Sequence, residues 1–280
     1  MMRPVDALQL LHREMRRTPV PEIPRKQRPD DGFAWRMEGE EFCLRVEPDS
    51  WLQYRRGEGV SVAQGPATPD DEIDLFAHGT LAAAIVAMNG LYPFHGSGVL
   101  APGGAVVLTG PSGAGKSTLA AGLAGRGLQL LSDDLTILLE REDDVPFVLP
   151  WTKRLKLWGD TLAMTGLRGA GLVSEGYTKH FVDVPRAGEA APLRAVVELA
   201  EGELAWERLS AGEAIAAWTA DHYMSHVLAA ARGWDRAARL ADAAARVSET
   251  PAFRLTFPHD PAGFPELLDF AAARLREHAG

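Results

Sequence analysis

The sequence predicts an α/β fold built on one strand–loop–helix unit, with a small α+β module in front of it. Three observations predict it. Residues 110–118 read Gly-Pro-Ser-Gly-Ala-Gly-Lys-Ser-Thr, filling every fixed position of the phosphate-loop pattern G-x-x-x-x-G-K-[ST]. The apolar run before it, residues 105–109, has the length of a buried strand, and residues 118–124 after it have helical character. Beyond that unit, strand-length apolar runs and longer helical stretches continue to the end of the chain.

The remaining elements follow in chain order. Residues 5–17 alternate apolar and basic positions at helical spacing, with Leu8, Leu10, Leu11 and Met15 available for one face, and a proline-rich connector occupies 19–30. Short apolar runs at 33–37 and 42–46 predict strands between turns. Pro69 and the acids at 70–72 predict a helix start, and Asn89-Gly90 its stop. The module is therefore expected to span 1–68, and the phosphate-loop domain 69–280. Residues 97–101, the turn Pro102-Gly103-Gly104 and residues 105–109 predict a hairpin entering the loop. Strands are expected at 128–132, 135–139, 193–199 and 253–257, an alanine-rich helical region at 210–247 and a closing amphipathic helix at 261–277. Residues after Pro150 read as a long irregular stretch.

Composition bounds the function. With 280 residues, 46% of them hydrophobic and 24% charged, the chain has an ordinary globular make-up and ample material for a core. No apolar run approaches a membrane span, and residues 1–6 lack the apolar stretch of a secretory signal, so a cytoplasmic location is expected. The single cysteine, Cys43, excludes an intramolecular disulfide and reads as a strand residue. A net charge of −9 argues against a nucleic-acid partner. It leaves a nucleotide open, since a few local cations and a metal ion suffice for a triphosphate.

The loop pattern carries a definite chemistry. Its glycines let backbone N–H groups turn inward around phosphates, and the helix N-terminus adds partial positive charge. Residues Gly110, Pro111, Ser112, Gly113, Ala114, Gly115, Lys116, Ser117 and Thr118 are the expected ATP contacts. Lys116 would reach the β- and γ-phosphates, and the Ser117 hydroxyl would ligate Mg²⁺.

Asp133 and Asp134 form a second constellation. A helix from 116 to about 125 rises roughly 15 Å, and a returning strand over 128–132 covers about the same distance. Both carboxylates should therefore come back beside the loop. One can hold the metal with Ser117, and the other can accept a proton from an attacking hydroxyl. His95 precedes the hairpin strand that runs antiparallel to 105–109, which places it near the phosphates as well.

Together these residues resemble the catalytic domain of HPr kinase/phosphorylase, a bacterial serine kinase with a PEP-carboxykinase-like fold. The resemblance covers 91–140 and rests on His95-Gly-Ser-Gly-Val-Leu, the hairpin, the loop, Arg126-Gly-Leu-Gln-Leu-Leu-Ser and Asp133-Asp134. It implies that Asp133 is the general base, that His95 supports it, and that Asp134 and Ser117 hold the metal. It also implies a homo-oligomer of unspecified size. The family's Glu-x-Arg-Gly loop has only a weak echo at 166–171, and the N-terminal module differs. The chain thus looks more like the divergent HPr-kinase-related proteins, some of which modify ribosomal peptides such as lasso-peptide precursors.

The expectation is an ATP- and Mg²⁺-dependent kinase acting on a hydroxyl, foremost a serine, of a peptide or small protein. A small-metabolite kinase and a non-catalytic ATP-binding regulator are the alternatives. Lys153, Arg154 and Lys156 are candidates for steadying phosphate charge or docking an acidic acceptor, against a plain solvated strand. Residues 177–180 are a candidate lid, against a surface loop. His222 and His226 share a helix face but lack a third ligand.

Overall fold

The computed structural model describes residues 2–30, 34–141, 144–151, 155–172, 179–219 and 225–278. They form a mixed α/β fold with several sheets, and the chain divides into two compact units. One holds residues 2–93 and 226–234, the other 94–225 and 235–280.

The first unit contains α1 (Pro4–Glu14), β1 (Arg17–Pro19), β2 (Trp35–Glu38), β3 (Glu41–Val46), β4 (Ser50–Arg55) and β5 (Gly59–Ala63). Its sheet has the order β1-β5-β4-β3-β2, antiparallel except where β1 runs parallel to β5. Helices α2 (Asp70–Phe76) and α3 (Ala82–Met88) follow, joined through a wide turn at Ala77–Leu81. Gly79 there leaves helical geometry at φ −103° and ψ −105°, so one expected helix becomes two pieces. Every residue of α3 is buried, and these helices contact α1, β3 and β4. The first compact unit therefore takes in these helices, and residues 226–234 as well, whereas the sequence suggested a division after residue 68. A continuous apolar helix needs a partner on all sides, and the first sheet supplies part of it.

A buried polar cluster locks α1 to that sheet. The Glu14 carboxylate accepts from the Tyr54 hydroxyl at 2.9 Å and from the Gly57 N–H at 2.8 Å, and Asn89 donates to the Tyr54 oxygen at 2.7 Å. Burial pushes the Glu14 carboxyl upward, but the donors from Gly57, Tyr54 and Arg13 outweigh it and hold the group below the usual carboxylate range. Cys43 is buried in β3, and loss of hydration pushes its thiol up to about 12, so it is an inert packing residue.

The chain then runs through β6 (Tyr92–His95), β7 (Ser97–Ala101), β8 (Gly104–Thr109), α4 (Lys116–Ala124), β9 (Gln129–Ser132), β10 (Leu135–Arg141) and β11 (Asp144–Leu149). Next come β12 (Leu155–Trp158), α5 (Gly159–Thr165), β13 (Gly169–Leu172), β14 (Lys179–Val182), β15 (Ala191–Glu201) and β16 (Ala205–Arg208). Helices α6 (Ala211–Thr219), α7 (Ser225–Arg232) and α8 (Arg236–Glu249), strand β17 (Ala252–Phe257) and helix α9 (Phe264–His278) complete it. The stretch expected to be irregular folds as a separate sheet, β12-β14-β13, flanked by α5. Its strands are only four residues long, too short to announce a period.

The large sheet has the order β6-β10-β11-β15-β8-β7-β9, with β17 on β15 and β16 on β17. Strands β8, β15 and β17 are parallel, and β8 is buried along its whole length. That is why residues 105–109 read as an unbroken apolar run rather than an alternation. Leu119 and Leu123 of α4, with Leu267, Leu268 and Leu275 of α9, cover Val99, Val106, Leu108, Val197 and Leu255 of the sheet. Fully burying each such side chain is worth roughly 1.5–3 kcal/mol, so α4 is held firmly against the strands that carry the site.

Candidate active site

Strand pairing makes the site. Strand β7 is the shared partner of β8 and β9, antiparallel to both, with Ser97 opposite Leu108 and Gly98 opposite Ser132. Strands β8 and β9 are therefore parallel and end at the same end of β7. The loop after Thr109, the acids after Ser132 and His95 before β7 converge there. The approach is close: a Cβ on Gly98 would lie 2.6 Å from the Ser132 Oγ. Behind this corner Ser132 and Thr136 share a hydroxyl bond of 2.7 Å, and Thr136 donates to the Gly96 carbonyl at 2.9 Å.

The loop is shaped by backbone. Gly110 has φ 135°, and a Cβ there would meet the Leu199 carbonyl oxygen at 2.8 Å, so no side chain fits. Gly115 caps α4 in the left-handed region at φ 91°, and no side chain caps the helix. The first N–H groups of a helix have no acceptor of their own. Pro111, Ser112 and Gly113 form the exposed outer side of the loop, and Ala114 is buried. The Lys116 ammonium donates to the carbonyl oxygens of Gly110 at 2.8 Å and Pro111 at 3.1 Å, which stretches it along the loop.

Both acids return to this corner. The Asp133 Oδ1 accepts from the Ser117 hydroxyl at 2.8 Å and from the Ser97 hydroxyl at 2.7 Å, and the residue is 4% exposed. The Asp134 Oδ1 lies 3.5 Å from the His95 Nε2, and its side chain is 40% exposed. The sequence reading sets His95 beside Asp133 and assigns Ser117 and Asp134 to the metal; the contacts seen here are Ser117 with Asp133 and His95 with Asp134.

The reason is a turn. Asp134 has φ 66°, alone among the described non-glycine residues in the positive range, and the Leu135 N–H donates back to the Asp133 carbonyl at 2.8 Å. That is a three-residue turn of the rare, strained kind. It points neighbouring carboxylates at different elements, where an extended strand would merely alternate them. A strained residue costs about 1–3 kcal/mol and persists only where surrounding structure enforces it.

Beside the loop lies a cavity of about 390 Å³ that the sequence did not reveal. Gly113, Gly115 and Thr118 form one wall, Thr161 and Met164 of α5 another, and Phe257, His259 and Phe264 a third. Asp160, Asp260 and Glu266 put carboxylates at its lining. Its size falls within the range of small-molecule sites, roughly 300–1,000 Å³. No local motif marks it, because its walls come from three separate stretches of the chain, around residues 113–118, 160–164 and 257–267.

The other residues singled out in the sequence fall elsewhere. Lys153, Arg154, Tyr177 and His222 lie outside the described residues, while Lys156, Lys179 and His180 belong to the small sheet and His226 to α7. Among the described residues no group of three or more His, Cys, Asp or Glu is placed to hold a metal by itself. No helix among them is long and apolar enough to cross a membrane.

No protein-family model matches the chain, and no curated protein matches it. Among solved structures it is distantly similar to the Hpr(Ser) kinase/phosphatase from Coxiella burnetii, at 15% identity and a TM-score of 0.34, over 66% of this chain and 89% of that one.

Proposed function

We propose that the chain is an ATP- and Mg²⁺-dependent phosphotransferase that moves the γ-phosphate to a hydroxyl, foremost a serine, of a peptide or small protein. One observation carries this reading: two carboxylates stand at the phosphate loop in different settings, Asp133 bonded to the loop serine and Asp134 beside His95. Nucleotide binding alone needs no second, exposed acid.

We assign the roles from these contacts. Ser117 and Asp133 offer two hard oxygen donors 2.8 Å apart, a donor set suited to Mg²⁺ completed by phosphate oxygens and water. Bound there, the ion would neutralise charge on the phosphates. Backbone N–H groups of the loop and the Lys116 ammonium cradle the β- and γ-phosphates. The adjoining cavity takes base and ribose, with Thr118 at the junction. Asp134 faces the acceptor and takes the hydroxyl proton as the oxygen bonds to the γ-phosphorus and the bond to the bridging oxygen breaks, releasing ADP. His95 orients that carboxylate and relays the proton outward. We assign proton acceptance to Asp134 rather than to Asp133, since a buried carboxylate that already accepts two hydroxyl bonds is poorly placed to receive another proton.

The test is transfer from γ-labelled ATP to a panel of hydroxyl-bearing peptides and metabolites, with nucleotide affinity measured alongside. Lys116→Ala should weaken ATP binding at least tenfold; an unchanged dissociation constant removes the loop from the account. Tight ATP binding with no turnover on any acceptor favours a regulator, and transfer confined to metabolites overturns the peptide assignment.

A further inference from the structure

The cavity beside the phosphate loop has a lining of uneven chemistry. Leu119, Met164, Phe257 and Phe264 give it apolar walls, and the two phenylalanines are buried at 7% and 5% exposure. Such walls favour a flat, weakly hydrated ring. Its charged side chains are acids, Asp160, Asp260 and Glu266, with no lysine or arginine among the described residues that line it. Phosphates are therefore repelled from the cavity and kept at the loop, where backbone N–H groups and Lys116 lie. An entering nucleotide is oriented by this contrast, its base toward the acids and its phosphates away from them.

The three carboxylates are not equivalent. The Asp160 Oδ1 accepts from the Thr161 N–H at 2.7 Å, at the start of α5. The Asp260 Oδ1 accepts from the Ala262 N–H at 3.0 Å, closing the turn that precedes α9. Both acids thus shape backbone. Glu266, in the first turn of α9 and two residues past the wall residue Phe264, is exposed, and among the described residues nothing donates to it. The neighbouring polar side chains are engaged elsewhere: the Thr161 hydroxyl donates to Asp160 at 3.3 Å, and the His259 ring lies 5.6 Å from that of Phe257. A carboxylate accepts and never donates when ionised. Toward a base it therefore tells an amino group from a carbonyl.

We propose that Glu266 selects the nucleobase: its carboxylate accepts a hydrogen bond from the 6-amino group of adenine and turns away guanine and hypoxanthine, which carry a carbonyl oxygen at that position. The proposal rests on the phosphotransferase reading and adds the reason for its donor being ATP rather than another purine triphosphate. A 6-carbonyl against the carboxylate sets two acceptors face to face with no proton between them. A site built to pair a donor rejects the analogue that lacks it. Phe257 and Phe264 supply affinity common to all purines, and Glu266 supplies the difference between them.

The test is equilibrium binding of ATP, purine riboside triphosphate, ITP, GTP and tripolyphosphate to the full-length protein, with Mg²⁺ and without acceptor. Purine riboside triphosphate lacks only the 6-amino group, and ITP replaces it with a carbonyl. Wild type should bind ATP at least about tenfold more tightly than the other three nucleotides. Glu266→Gln, whose amide can donate as well as accept, should bring ATP and ITP to within about threefold of each other. Its tripolyphosphate affinity and melting temperature should match wild type. An ATP preference that survives Glu266→Gln overturns the proposal, as does a wild type indifferent to the base. A wild-type preference for GTP overturns it too, since a carboxylate would then meet the N1–H and 2-amino edge of guanine. Tripolyphosphate separates the two readings. If it binds through Lys116 but the base makes no difference, base selection by Glu266 falls and the loop stands. If ATP and tripolyphosphate both bind Lys116→Ala as they bind wild type, the loop and the kinase reading fall.

Discussion

The Ser117 hydroxyl donates to the Asp133 carboxylate across 2.8 Å, tying the second residue of α4 to the residue that follows β9. Sixteen positions apart in sequence, the two meet because the crossover through α4 returns the chain parallel to β8 on the far side of β7. The bond fixes one acid at the loop and leaves the other, Asp134, to His95.

The division of roles is open to direct measurement. Asp134→Asn should lower transfer by about 10²–10⁴-fold, the usual worth of a general base, with ATP affinity unchanged. Asp133→Asn should instead raise the Mg²⁺ concentration needed for half-maximal activity. If Asp133→Asn shows the pure rate loss and Asp134→Asn the altered metal requirement, the roles are reversed.

Backbone strain at Asp134 gives a second handle. Asp134→Gly removes the carboxylate and relieves a positive φ of 66°. The variant should abolish transfer yet unfold at equal or higher denaturant concentration than wild type, by up to about 1 kcal/mol. A clear loss of stability would mean that the Asp134 side chain holds the turn together rather than being held by it.

Gly98 tests the strand corner. Its substitution by Ala would drive a methyl group to 2.6 Å from the Ser132 Oγ, prising β7 from β9. Destabilisation of about 1–3 kcal/mol is expected, together with weaker transfer, since Ser97 lies on β7 and Asp133 directly follows β9. Normal stability measured by urea unfolding would show that the corner yields without cost.

Stability should depend on pH through Glu14. Its folded carboxyl lies below the usual range, so the contribution is fully present above the unfolded value, about 4.3, and is lost as pH falls through the lower folded value. The gap in unfolding free energy between wild type and Glu14→Gln should therefore be widest near pH 7 and shrink on acidification toward pH 3. A gap independent of pH would assign the effect to packing around Tyr54 instead.

The phosphate-loop pattern at 110–117, the apolar run before it and the helix after it were legible because each rests on local rules: glycine conformation, strand burial and helical spacing. The return of Asp133 and Asp134 to the loop was legible too, since helix and strand rise are fixed lengths. Which acid meets which partner was not, because it depends on a single left-handed turn and on Ser97 arriving through β7. The cavity walled by Met164 and Phe257 was equally hidden. It exists only where segments far apart in sequence are packed together, and no local pattern encodes so distant a neighbour.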